Sequence, residues 1–219
     1  MNPLDFLPDN LASPIRIIFS FWWLWLPPLA WKFFKEMYTD YVVGKFKAEN
    51  WEFVLLEIVL EKNEAKTPKS MEKVMTTLHG GRTGYGWWEK NIQGKRQDMF
   101  SLELVSIGGN IHYYIRTLTK YRKMVESAVY GAFPNADVEE VDDYTTYLKD
   151  KRLEVDYNIF GADIGLAKSD VYPIRTYHEF LDTDPDERIN DPMSQILEVL
   201  ADLDKGEQLW IQFPIEAVD

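Results

Sequence analysis

The stretch Ile17–Phe34, IIFSFWWLWLPPLAWKFF, constrains this chain more than any other feature. It is uncharged from Ile17 to Trp31 and bounded by Arg16 and Lys32. Crossing the hydrocarbon of a bilayer takes about 20 helical residues. The run reaches that length from Ile15 to Phe34 if Arg16 and Lys32 extend along their stems to the two interfaces. Trp22, Trp23, Trp25 and Trp31 are of the residue type that gathers at the membrane–water boundary. Pro27-Pro28 predicts a kink or break towards the end of such a helix. Asp5 and Asp9 stand where a cleaved signal peptide would carry bases. A segment apolar on every side needs lipid or a large protein around it. Spanning a membrane, lying on one and packing into a core all stay open, in that order of preference. Lys32, Lys35, Lys45 and Lys47 follow the run, which puts the rest of the chain on the cytoplasmic side of the cell membrane.

The remainder has the composition of a water-soluble domain. A net charge of -12 argues against a general duplex-DNA binder, whose affinity comes from neutralising phosphates. The absence of cysteine excludes disulfides, thiolate catalysis and Cys-ligated zinc.

Beyond the anchor (1–35) and a juxtamembrane linker (36–49), residue patterns outline an α+β protein. NWEFVLLEIVLEK (50–62) reads as a strand. Thr67 and Pro68 then open a helix with Met71, Val74, Met75 and Leu78 on one side, stopped by Gly80-Gly81. FSLELVSIGGNIHYYIRT (100–117) reads as two strands turning at its glycines, followed by a helix at about 118–132 and a short strand in ADVEEV. The order βαββαβ is that of a ferredoxin-like unit, here 50–144. Residues 145–219 repeat the theme in part: a strand in DVYPIRTY, a helix capped by Asp191-Pro192, and a strand in QLWIQFPI. This predicts a second, incomplete β-α-β unit with an open edge.

Catalytic motifs are missing. GGRTGYG lacks the lysine and the preceding strand of a P-loop, and there is no GxSxG. His79, His112 and His178 are scattered. DTDPDERINDPM starts like a calcium loop but has Glu187 where glycine is needed and Met193 where a bidentate glutamate belongs. No enzyme activity, metal or cofactor is therefore expected. The best candidate site is the long loop 81–98. Tyr85, Trp87 and Trp88 offer stacking surfaces, and Arg82, Lys90, Lys95 and Arg96 offer charge. Such a mixture suits a protein partner, lipid headgroups or a single-stranded nucleic acid. It also suits simple packing with solvated bases. NIHYYIRT lacks the aromatic pattern of ferredoxin-like RNA-binding domains, which weakens the nucleic-acid reading.

SLELVSIGGNIHYYIRT, KYRKMVESAVYGAFPNADVEEVDDY and DPMSQILEVLADLDKGEQLWIQFPI resemble a family of membrane-anchored proteins of candidate-phyla bacteria. Genes of that family lie beside, or are fused to, type IV secretion and conjugation ATPases of the HerA/TraC/TraG kind. The resemblance covers about residues 50–219. It implies an accessory role, with a translocation ATPase and membrane lipid as partners, and brings no catalytic residues. It also implies that further residues complete the second unit. A homo-oligomer is compatible with the open edge.

Overall fold

The computed structural model describes residues 21–60, 68–146, 157–165, 167 and 193–217. Residues 15–20 of the apolar run with Arg16, the cap residue Thr67, the strand expected in DVYPIRTY and nearly all of the acidic loop 182–193 lie outside these residues. The chain divides into two compact units, Met1–Trp51 with Gly84–Arg96, and Glu52–Thr83 with Gln97–Asp219.

The first unit is built on α1 (Trp22–Asn50), a single helix that takes in both the second half of the apolar run and the whole expected linker. It is not broken at Pro27-Pro28, where the sequence predicts a kink or break. Each proline forfeits one backbone bond. The helix continues to Asn50, adding one backbone bond per residue beyond the prolines, which outweighs that loss. Lys45 and Glu49 pair along the last turns, and the Trp51 N–H bonds to Lys47 O at 2.8 Å to close the end. Among the described residues no helix is long and apolar enough to cross a membrane. A short helix, α3 (Trp87–Asn91), completes this unit.

The second unit is one antiparallel sheet backed by helices. Its elements are β1 (Phe53–Val59), α2 (Pro68–His79), β2 (Met99–Ile107), β3 (Asn110–Leu118), α4 (Arg122–Ala132), β4 (Asp137–Val141), α5 (Ser194–Ala201) and β5 (Gln208–Glu216). The sheet order is β4-β1-β3-β2-β5. β2 and β3 form a hairpin in which Gly108 (φ 57°) and Gly109 (φ 84°) supply the two left-handed residues of a tight turn. On one face Leu56, Phe100 and Ile115 meet Val74 and Leu78 of α2 and Val125, Ala128 and Val129 of α4. Each fully buried aliphatic side chain of this layer contributes about 1.5–3 kcal/mol. Lys73 Nζ donates to Gly131 O at 2.8 Å and joins the two helices. Buried Asp98 accepts from Lys120 Nζ at 2.7 Å and Tyr121 Oη at 2.8 Å, fixing the entry to β2.

The C-terminal elements correct the sequence expectation of a second sheet. β5 pairs along its whole length with β2, from Met99↔Glu216 to Ile107↔Gln208. α5 packs on the same sheet through fully buried Leu200, whose carbonyl accepts from Ser106 Oγ at 2.6 Å. A separate pair of strands is marginal in water, whereas the outer edge of β2 offers a ready ladder and a continuous apolar layer.

Candidate functional site

The loop expected to carry function is held by one carboxylate. Gly86 precedes α3, and its N–H donates to Glu89 Oε2 at 2.9 Å. The other oxygen of Glu89 accepts from Lys95 Nζ at 2.7 Å. The Lys95 ammonium beside it, and then the Gly86 N–H, hold the Glu89 carboxyl below the usual carboxylate range. Lys95 also lies 5.6 Å above the Tyr85 ring. Arg96 Nη1 donates to Lys90 O at 3.0 Å. Gly94, at φ 68°, lies so close to α1 that a Cβ there would stand 2.5 Å from Val42 O. The loop is thus pressed onto the helix by a residue that only glycine can supply.

Trp87 is 71 % exposed and Trp88 60 % exposed. Tyr85, Trp87, Trp88, Lys90, Lys95 and Arg96 are therefore gathered in one unit, with the indoles outward and Lys95 neutralised by Glu89. Arg82 belongs to the other unit, where its N–H donates to His79 O in the turn after α2. Of the expected anchor residues, Trp22, Trp23, Trp25, Trp31 and Lys32 lie on α1. Trp23, Leu24, Leu26, Trp31, Phe33 and Phe34 present broad apolar area to solvent, and Met37, Tyr38 and Tyr41 continue it.

A second cluster, missed in the sequence, occupies the sheet face opposite α2 and α4. Arg116 Nε donates to Glu103 Oε1 at 2.9 Å, and its Nη1 donates to Asp143 Oδ2 at 2.6 Å. Tyr144 Oη donates to Glu103 Oε2 at 2.7 Å and accepts from Gln212 Nε2 at 2.8 Å. Asp143 Oδ1 also accepts from the Thr145 N–H and hydroxyl. Beside them His112 Nδ1 lies 2.7 Å from Glu57 Oε1, with His112, Tyr114 and Tyr144 stacked in sequence and Trp210 edge-on to Tyr144.

Contact with Arg116 pulls the Asp143 carboxyl well below its usual range, and the bond to Asp143 raises the Arg116 guanidinium still further. Burial, and then neighbouring Glu103, push the Tyr144 phenol up to about 12. The cluster is internally satisfied: Glu103 and Asp143 share one guanidinium, and Tyr144 caps the remaining glutamate oxygen. Its effect is to clamp the turn after β4 across the sheet. Among the described residues no group of three or more His, Asp or Glu side chains is placed to hold a metal ion.

One part of this cluster had a sequence signal. A two-residue turn at Gly108-Gly109 puts Ser101 opposite Arg116, so Glu103 becomes its diagonal neighbour on the same face. Asp143 and Tyr144 had none, because they arrive through the path of the chain after β4. No family model, curated protein or solved structure matches the chain.

Proposed function

We propose that this chain is a non-enzymatic docking protein held at the cell membrane by its N-terminal segment, serving a translocation ATPase of the type IV secretion and conjugation kind on the cytoplasmic side. The observation that carries the reading is the apolar surface of α1. Trp23, Leu24, Leu26, Trp31, Phe33 and Phe34 are exposed in succession, far more than a water-facing helix tolerates. Lipid around this surface removes it from water. The element order β1-α2-β2-β3-α4-β4, with β1 and β3 at the centre, supports a ferredoxin-like reading of the sheet unit, to which β5 adds an edge. The choice of partner rests on the family resemblance of the sheet segments.

Because the chain has no cysteine, Asn2→Cys and Lys90→Cys give single labelling sites. In intact cells an impermeant thiol reagent labels position 2 and not position 90 if the anchor spans with the sheet unit inside. Labelling at 90 removes a cytoplasmic ATPase as direct partner. Deleting 82–97 abolishes ATPase co-purification; unchanged recovery removes the loop from the interface. A second reading, a membrane-tethered binder of single-stranded nucleic acid, is favoured by the two exposed indoles of α3. It requires salt-dependent oligonucleotide binding that Trp87→Ala with Trp88→Ala eliminates.

A further inference from the structure

The sheet has two outer edges of opposite character. Among the described residues no strand pairs with the outer side of β4 or of β5. β4 is five residues long and carries Asp137, Glu139 and Glu140, the kind of charge that guards an edge against self-pairing. β5 is nine residues long and uncharged from Gln208 to Ile215. The β2–β3 turn fixes which way the backbone groups of β5 point. Ile107 and Asn110 close a two-residue turn by exchanging both bonds, so the odd residues of β2 address β3 and the even ones address β5. The Gly108 N–H donates to Glu207 O at 2.9 Å in the same phase. Leu209, Ile211 and Phe213 therefore bond inward to β2, and Gln208, Trp210, Gln212 and Pro214 turn their backbone groups outward. Pro214 has no N–H to give, and it sits where the ladder to β2 needs none. On the helix side, α5 and β5 border an apolar cleft of about 280 Å³ lined by Ile196, Val199, Leu200, Leu209 and Ile211. Val199 is 59 % exposed, and Phe213, on the same face of β5 as Ile211, is 52 % exposed.

We propose that the outer edge of β5 pairs antiparallel with the same edge of a second copy of this chain, about a two-fold axis at Ile211. An unpaired backbone edge calls for a strand, and β5 supplies its own complement. In this register Trp210 and the partner's Gln212 exchange both backbone bonds, and the Gln208 N–H donates to the partner's Pro214 carbonyl. The missing proline N–H then falls at the solvent-facing end of the ladder. On the helix side Ile211 meets its own copy, and Phe213 meets the partner's Leu209, which covers the exposed ring. Centring the axis on Trp210 instead sets Phe213 against Glu207, and centring it on Gln212 puts the proline inside the ladder. No carboxylate stands opposite another, whereas the same operation on β4 opposes acid to acid. An axis normal to the sheet keeps both helix layers on one side, so Ile196 and Val199 of each copy close the two clefts. The inference depends neither on the membrane tether nor on the choice of ATPase.

The test uses the full chain in detergent, where sedimentation equilibrium gives the mass and the absence of native cysteine makes each introduced thiol unique. The expected mass is that of two chains. Residues opposed in a non-hydrogen-bonded pair lie about 4.5 Å apart at Cα, within disulfide reach. Oxidation therefore links Ile211→Cys to its copy, and links a mixture of Leu209→Cys and Phe213→Cys, while Phe213→Cys alone stays unlinked. Gln212→Pro removes an outward N–H and leaves the ladder to β2 whole. It is expected to weaken the dimer by about tenfold or more, with the thermal transition of the sheet unit in place. A monomeric mass overturns the proposal. A dimer in which none of these cysteines links overturns it too and moves self-association to another surface. So does a folded Gln212→Pro chain that dimerises as tightly as the parent.

Discussion

Glu103 and Arg116 sit on adjacent strands, offset diagonally, and meet at 2.9 Å with the glutamate side chain only 1 % exposed. Asp143 takes the other side of the same guanidinium at 2.6 Å. A buried charge is costly unless paired, so removing either strand residue leaves its partner's desolvation unoffset. Glu103→Ala is expected to lower unfolding stability by about 2–3 kcal/mol, below the usual range for a buried pair because Asp143 still holds Arg116. Replacing both Glu103 and Arg116 by leucine costs less than the sum of the single changes. Urea denaturation of the four proteins measures this; additive losses would mean that the pair is not energetically coupled.

The same cluster predicts stability that falls at both ends of the pH scale. Asp143 has a depressed folded pKa, so the unfolded chain binds more protons than the folded one in acid. Its contribution is complete above about pH 5, beyond the ordinary aspartate range, and is lost progressively as pH falls. Tyr144 is shifted the other way, to about 12. Its contribution is complete below the ordinary tyrosine value of about 10 and is lost as pH rises from there towards 12. Tyr144→Phe should flatten the alkaline limb of a melting-temperature profile and leave the acid limb unchanged. An identical alkaline limb in that variant would assign the loss to other groups.

Gly94 is expected to decide whether the aromatic loop stays on α1. Alanine there meets both a positive φ and the Val42 backbone. The strain exceeds the roughly 0.4–1 kcal/mol that such a substitution gains at a compatible site. Limited proteolysis should cut 84–96 faster in Gly94→Ala, with the near-ultraviolet signal of its tryptophans reduced. The thermal transition of the sheet unit should stay in place, because Gly94 belongs to the other unit.

Leu200 tests whether the C-terminal elements share the main core. It is fully buried, and its carbonyl is bonded to Ser106 of β2. Leu200→Ala should cost about 2–5 kcal/mol and lower the single transition of the sheet unit as a whole. Two separable transitions, with only one affected, would restore an independent C-terminal unit.

Local pattern in the sequence determined most of the elements. β-branched, aromatic and apolar residues in SLELVSI and NIHYYIRT, paired glycines between them, and Met71, Val74 and Leu78 at helical spacing fix strand, turn and helix through interactions spanning a few residues. The aromatic and basic content of the 81–98 loop was legible for the same reason, as was the apolar run on α1. Tertiary structure decided what these pieces met. Gln208–Glu216 is a strand in either setting, and only the free edge of β2 made it the fifth strand of one sheet rather than the start of another. Lys95 reads as an available cation until Glu89 is found 2.7 Å away. Glu103 reads as a solvent-facing strand residue until the turn at Asp143–Tyr144 closes over it. Contacts between residues far apart in the chain depend on the path taken by the segments joining them. Local periodicity carries no record of that path.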